Sequence, residues 1–489
     1  AIIPSDSVEI AEQSIVLEPL PMSLIDSQDT LLGIEPFVEP AHRIYPKKID
    51  GQFRRIKWSI QFLTLGIYYL LPFVRWNRGL NAPSQAVLVD LPHRKFYFFF
   101  IEIWPQEFYY ATGLLILAAL VLFLMNAVAG RIWCGYMCPQ TVWTDFFMTT
   151  ERWIEGDSRE RLNLDAAPWS LDKARKKIAK HLIWFLIAWW TGGAWVLYFA
   201  DAPTLVHSLA TLQAGSGEAY LWILILTFTT YVFAGVMREK LCLHACPWPR
   251  IQAALTDEYA LNVTYRYDRG EPRMSLKQAK ALRAQNLHAG DCVDCGQCVA
   301  VCPTGVDIRK GSQLGCIQCG LCIDACDAIM TKIHRPARLI GYDTDLNVKH
   351  RQCGAAETYK LFRPRTIIYL ALILAIGGFM TLNLATRSDA HVSILHDRNP
   401  TAVRLKDGGT RNGYTARFSN MKNTPRKFTL EVIGVTNLHV DVIGEEKKID
   451  GKILIEIGPD QTRETRILVA TPQENEHKNC LLYTSPSPR

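Results

Sequence analysis

No basic segment followed by an apolar run occurs in residues 1–50, so the sequence carries no visible cleavable signal peptide. That stretch is rich in Ser, Glu, Asp and Pro and reads as a disordered cytoplasmic tail. A net charge of +7 is mild for 489 residues, and Lys and Arg gather in particular loops instead of one concentrated cationic face. No nucleic-acid partner is therefore expected. No apolar run holds two histidines at haem-like spacing; His181 and His207 flank one such run and read as interfacial residues. No acid–base constellation is evident. Lys and Arg are also missing between Asp201 and Glu218, which bears on orientation.

Cysteine is plentiful, with fourteen in all. Eight lie between Asp291 and Asp327 as two copies of C-x2-C-x2-C-x3-C: Cys292, Cys295, Cys298 and Cys302, then Cys316, Cys319, Cys322 and Cys326. This is the run of bacterial two-cluster ferredoxins, in which three cysteines of each run hold one 4Fe–4S cluster and the fourth ligates the other. Cys292, Cys295, Cys298 and Cys326 are expected on one cluster, and Cys316, Cys319, Cys322 and Cys302 on the second. Two complete runs in tandem argue against zinc or disulfides. Such ligands must be reduced thiolates, which places the segment in a reducing compartment. The first run ends Cys302-Pro303, as the pattern has it; the second ends Cys326-Asp327, a departure that leaves the ligand count intact.

Hydropathy predicts five transmembrane helices, over residues 58–74, 108–129, 182–200, 219–236 and 366–384. The aromatic stretch Phe96–Trp104 is too short to cross and reads as an interfacial or re-entrant segment. The loop between the second and third spans holds Arg131, Arg152, Arg159, Arg161, Lys173, Arg175, Lys176, Lys177 and Lys180, whereas the next loop has no Lys or Arg. The segment carrying the ferredoxin runs is strongly basic. By the positive-inside rule both basic segments are cytoplasmic, and everything after Leu384 is external. Arg75, Arg78, Arg94 and Lys95, in the first external loop, run mildly against that rule.

A second cysteine set has its own repeat. Cys134-Gly-Tyr-Met-Cys138-Pro139 follows the second span, and Cys242-Leu-His-Ala-Cys246-Pro247 follows the fourth. A C-x3-C spacing is i, i+4, so on a helix both sulfurs share one face. The following Pro tends to end or bend the helix. Two such pairs at the cytoplasmic ends of neighbouring helices would bring four thiols together. Soft thiolates select Cu(I), zinc or iron–sulfur clusters. Met137 and His244 lie inside the motifs and would add a thioether or an imidazole. Cys353 has no partner in the sequence and reads as a bystander.

Beyond residue 385 the pattern changes to alternating runs, such as Tyr414–Phe418, Phe428–Val432 and Lys452–Ile457, separated by Asn, Gly, Pro and Asp. These read as strands of a small β-sandwich over residues 385–479. Residues 480–489 (CLLYTSPSPR) do not continue the pattern and read as a non-native tail, so the sandwich is expected to lack its last strand. The domain order is then a tail over residues 1–50, a four-helix membrane region over 51–250, a ferredoxin domain over 251–365, a fifth span and the β-domain.

Spans with two C-x3-C-P motifs, a two-cluster ferredoxin, one further span and an outer β-domain together closely resemble the FixG/RdxA/CcoG family of cytochrome c oxidase accessory proteins of Gram-negative bacteria. The resemblance covers roughly residues 30–475. It implies an inner-membrane protein with a periplasmic immunoglobulin-like tail, two 4Fe–4S clusters on the eight ferredoxin cysteines, and a role in assembling cbb-type cytochrome oxidase. It further implies a cupric reductase, with Cys134, Cys138, Cys242 and Cys246 as the copper site. The expected partners are a cytoplasmic electron donor, copper-handling and oxidase-assembly proteins, the lipid bilayer, and a second copy of the chain in a homodimer. The same cysteine layout also resembles quinol-side membrane ferredoxins that feed periplasmic reductases, and a non-catalytic assembly scaffold is a third alternative.

Overall fold

The computed structural model describes residues 43–472, apart from 80–81, 213–216, 423, 433–437, 445–447 and 450–451. Residues 1–42 of the expected tail, Cys480 and the segment 480–489 lie outside the described residues. The end of that tail is ordered, contrary to expectation. Lys47 N donates to Ala300 O at 2.8 Å, and Arg161 Nη2 to Pro46 O at 2.7 Å. Backbone hydrogen bonds to a folded neighbour outweigh the polar composition here.

The long helices of the described residues include α1 (Gln52–Leu70), α2 (Tyr109–Ala129), α3 (Leu171–Val196), α4 (Gly217–Thr230) and α5 (Pro364–Ala385). Helix α4 continues as a π-helical segment, Tyr231–Met237. Among the described residues three helices, not the five expected, are long and apolar enough to cross a membrane: Pro105–Ala129, Gly217–Met237 and Pro364–Ala385. The helices α1 and α3 occupy the other two predicted places, but both begin several residues earlier than hydropathy indicates.

Each early start has a physical cause. Gly51 has no side chain to cap α1, and the cap comes from elsewhere: the Asp324 carboxylate accepts from Phe53 N at 3.2 Å and Arg54 N at 2.8 Å. The basic residues Arg54, Arg55 and Lys57 therefore lie inside the helix. In α3, Ser170 Oγ accepts from Lys173 N at 3.2 Å, so the basic stretch Lys173–Lys180 forms the first turns of the helix instead of a loop. Helices α3 and α4 pack closely because residue 192 is glycine; a Cβ there would lie 2.8 Å from Thr227 N.

Phe96–Trp104 is largely β-strand. Lys95–Phe98 and Ile101–Ile103 are strands of an antiparallel three-stranded sheet with Val87–Asp90. Alternation decides this: Lys95 and Tyr97 are buried, while Phe98 and Phe100 are exposed. The sheet forms a platform under the C-terminal sandwich. Lys95 Nζ donates to Asp460 Oδ1 at 2.7 Å, Gln106 Nε2 to Ser419 Oγ at 3.4 Å, and Arg387 Nη1 to Glu102 O at 2.7 Å.

The sandwich has two sheets. In one, Gln461–Thr471 lies between His439–Val442 and Thr410–Asn420, which in turn pairs with Ala390–His396 and Val403–Arg404. In the other, Lys452–Ile457 lies between Arg426–Leu430 and Lys448–Ile449. Ala416, Phe418, Ile453, Ile455, Ile457 and Ile467 fill the core between them. At the opposite end of the helices, Asn262–Tyr265 and Ile340–Asp343 pair antiparallel and bracket the two ferredoxin runs.

Candidate electron-transfer site

The two ferredoxin runs are one motif folded twice. Asp294 and Gln318 both have positive φ (49° and 56°), followed two residues later by left-handed Gly296 and Gly320 (63° and 73°). A short helix follows each glycine, Gln297–Ala300 and Leu321–Lys332. The turn presents three thiols of a run to one side, as the short spacing requires.

Two cavities lie between the runs. One is lined by Cys302, Cys316, Cys319 and Cys322, the other by Cys292, Cys295 and Cys326, and Cys298 borders both. Each predicted ligand set is thus brought around one cavity, and the fourth cysteine of each run crosses to the other. The donor set fits a pair of 4Fe–4S clusters. Burial pushes the thiols of Cys316 and Cys326 up to about 12 and that of Cys298 up to about 11, so taking up iron displaces protons. Among the described residues no group of His, Cys, Asp or Glu converges on a single-ion position. A cube spreads its thiolates over four irons, so convergence on one point is not what such a site requires.

Asp327 also has a structural reason. The helix after the first run stops before Cys302, where Pro303 is harmless. The second helix runs on through Cys326 and Asp327 to Lys332, and a proline inside it would remove a backbone N–H and clash with the preceding turn. Asp327 instead accepts from Arg338 N at 2.6 Å and pins the return strand.

The C-x3-C-P motifs do not form the simple helix faces that their spacing predicts. The helix Ile132–Tyr136 carries Cys134 but ends before Cys138, whose backbone is extended. Pro139 then opens a new helix, Pro139–Glu155, as its first residue, because its fixed φ and missing N–H suit that position. Cys242 lies in a π-turn, Leu241–Ala245, and Cys246 follows it. The four thiols are nonetheless near enough to act on one another electrostatically, although they do not converge on a single-ion position. Burial pushes Cys134 up to about 12, with Cys138 and Cys242 acting in the same direction. Burial likewise pushes Cys242 up to about 12, again with Cys138 adding to the effect. Cys134 Sγ donates to Gln252 Oε1 at 3.3 Å, just past the second motif, and Gln140 Nε2 donates to Phe233 O at 2.7 Å. Met137 and His244, expected as added ligands, are exposed. Cys353 is exposed at a helix end, and His181 Nδ1 pairs with Tyr231 Oη at 2.7 Å.

Sequence reasoning missed how these motifs meet the ferredoxin. Both pack on the second run. Arg131 Nη1 donates to Leu314 O at 2.6 Å, and Arg131 N to Gln318 Oε1 at 2.7 Å. Tyr136 Oη donates to Cys319 O at 2.9 Å. A Cβ on Gly135 would lie 2.7 Å from Ile317 O and 3.1 Å from Cys319 Cα, so only glycine permits this approach. From the second motif, Leu243 reaches within 3.1 Å of the Cβ position of Gly315. The glycine inside C-G-Y-M-C was the one sequence signal of a close backbone contact.

A buried charge network holds the arrangement. Glu151 pairs with Arg161 at 3.3 Å, Lys180 at 3.5 Å and Arg238, all almost fully buried. Glu155 takes Lys177 and Lys180, each at 2.9 Å. Basic residues that read as a solvated loop thus fasten the Pro139–Glu155 helix to α3 and to the start of the second motif.

Comparison with known proteins places these features. The profile of the immunoglobulin-like fold at the C-terminus of FixG matches residues 380–480. A 4Fe–4S dicluster domain matches residues 237–345, and a 4Fe–4S binding domain matches residues 111–155. The nitrogen fixation protein FixG of Rhizobium meliloti is 46% identical over 482 residues, covering 92% of this chain and 91% of that one. The chain belongs to the FixG/RdxA family. Two further family members, proteins RdxB and RdxA of Cereibacter sphaeroides, are 49% and 47% identical, covering 82% and 84% of this chain and 84% and 86% of theirs. No solved structure matches this FixG-family chain. It is an iron–sulfur electron-transfer protein of the membrane. Its dicluster match begins before Cys242, so it takes in the second C-x3-C-P motif, and the 111–155 match takes in the first.

Proposed function

We propose that the chain transfers single electrons to Cu(II), yielding Cu(I) for assembly of a cbb-type cytochrome c oxidase. The observation that carries this reading is the docking of both C-x3-C-P motifs on the run Leu314–Cys319. When bound, the two 4Fe–4S clusters supply one-electron redox chemistry. Cys292, Cys295, Cys298 and Cys326 hold the cluster further from the motifs, where exposed Cys295 leaves an approach for a cytoplasmic donor. Cys302, Cys316, Cys319 and Cys322 hold the nearer one.

Cys134, Cys138, Cys242 and Cys246 offer soft sulfur, which stabilises Cu(I) over Cu(II). Each copper gains one electron, and the protons it displaces from the buried thiols leave to solvent. The reading includes five membrane crossings in a bacterial inner membrane, with the ferredoxin end cytoplasmic and the sandwich periplasmic. The uneven loop charges support that orientation. Copper-handling and oxidase-assembly proteins, and a second copy of the chain, are the proposed partners.

Replacing both Cys134 and Cys138 by Ala is expected to abolish Cu(II) reduction and leave the iron–sulfur EPR signals intact. Loss of those signals as well would sink the division of roles. The 4Fe–4S profile over residues 111–155 favours a second reading, in which Cys134 and Cys138 serve an iron–sulfur group instead of copper. Iron and copper analysis of the purified protein, with and without the four thiols, separates the two.

A further inference from the structure

Between the nearer cluster site and Cys242 lies a cavity lined by Lys57, Asp145, Cys242, Pro303, Thr304 and Ile317, among others. Pro303 and Thr304 follow Cys302, and Ile317 follows Cys316. Lys57 is buried at 2% exposure. Its Nζ makes no hydrogen bond and sits 3.7 Å from Asp145 Oδ1.

That carboxylate is already engaged. Arg54 Nη1 donates to both Asp145 oxygens, at 2.8 and 3.0 Å. Arg54 and Lys57 thus set two cations against the one Asp145 carboxylate, which leaves this trio with a net positive charge. Lys57 is held in a buried position where solvent screens it little, with Gln140, Thr141, Thr144 and Glu239 also lining the cavity. A buried excess of one charge is costly, and it acts strongly on whatever lies near it. What lies nearby is the site formed by Cys302, Cys316, Cys319 and Cys322. Adding an electron there adds negative charge, which a fixed cation stabilises.

We propose that Lys57 is a positioning residue that raises the reduction potential of the cluster held by Cys302, Cys316, Cys319 and Cys322. It would thereby set the downhill order from the outer cluster toward the C-x3-C-P thiols. Net charge near a cluster is one of the established determinants of its potential. A unit charge on the order of 10 Å away, in an effective dielectric of about 20, changes an equilibrium by about tenfold or somewhat more. The inference rests on the iron–sulfur reading of the site, not on copper.

The test is an EPR-monitored redox titration of the full-length, cluster-loaded protein. The two clusters are told apart by a Cys295→Ser variant that perturbs only the outer one. Lys57→Met removes the charge without removing a hydrogen bond. It is expected to lower the reduced-to-oxidised ratio of the nearer cluster at a fixed potential about tenfold, or about 59 mV for a one-electron couple. The outer cluster should stay put, and Lys57→Arg should restore the wild-type value. Asp145→Asn releases the charge of Arg54 and should shift the same cluster in the opposite direction. That variant keeps the proposal testable even where Lys57→Met loads poorly. Unmoved midpoints, shifts of equal size in both clusters, or shifts of the same sign in Lys57→Met and Asp145→Asn would overturn it. Absence of any 4Fe–4S signal from the wild-type protein would instead overturn the iron–sulfur reading itself.

Discussion

Replacing Asp327 by proline would restore the usual ending of a ferredoxin run, and the structure predicts that it damages the protein. Asp327 is the seventh residue of the twelve-residue helix Leu321–Lys332. Proline there removes the N–H that bonds the carbonyl of Ile323 and drives its ring into that turn, costing about 3 kcal/mol or more. The variant also loses the hydrogen bond from Arg338 N at 2.6 Å. The ion pair with Arg338 Nε, at 3.5 Å and partly exposed, adds little. A half-exposed hydrogen bond to a carboxylate contributes about 1 kcal/mol. The total is about 4 kcal/mol, of which Asp327→Ala should show only the last quarter. Urea titration under anaerobic conditions, following the visible absorbance of the clusters, measures both variants against the wild type. Equal midpoints for Asp327→Pro and Asp327→Ala would refute the argument that an unbroken helix excludes proline here.

Two further outcomes follow from the site. In Gly135→Val the new side chain meets the backbone at Ile317 and Cys319, which cannot rotate away. Overpacking of this kind costs about 1–3 kcal/mol. Cu(II) reduction should fall about tenfold or more with the iron–sulfur EPR signals retained, and an unchanged rate would remove the docked motif from the reaction. The second outcome concerns pH. Burial pushes both Cys134 and Cys242 up to about 12. Below that both thiols are protonated, so metal binding displaces a proton from each and Cu(I) affinity should rise with pH, by about a hundredfold per unit if both ligate. Competition titrations between pH 6 and 8 test this, and a flat profile would exclude these thiols as ligands. The sign for the metal-free protein is the reverse. A thiol whose pKa is raised on folding favours the folded state fully below the ordinary thiol range near 8.5, and that contribution is lost as pH rises through it toward 12.

The grouping of the ferredoxin cysteines around two cavities was legible because their spacing is local. A spacing of two residues fixes which thiols share a turn, and the repeat fixes the crossing of Cys302 and Cys326. The strands of the sandwich were legible for a similar reason, since alternation with period two is a property of neighbours in sequence. Local reasoning failed where a distant group decided the outcome. Helix α1 starts at Gln52 because Asp324, 270 residues away from Arg54, caps it. The strand pairing of Phe96–Phe98 with Val87–Val89, which supports the sandwich, was likewise not legible from the aromatic composition of Phe96–Trp104.

The sequence by itself determined the inventory of this protein: which cysteines form the two ferredoxin runs, how many motifs there are, and which end of the chain is β. Only the tertiary structure decided their order in space. It sets the second run against both C-x3-C-P motifs. It also turns Lys57, Glu151 and Lys180 from flanking charges into buried ones. The reason is physical. Ligand spacing is fixed by a few consecutive dihedral angles, whereas close approach and burial depend on what the remote chain brings to the same place.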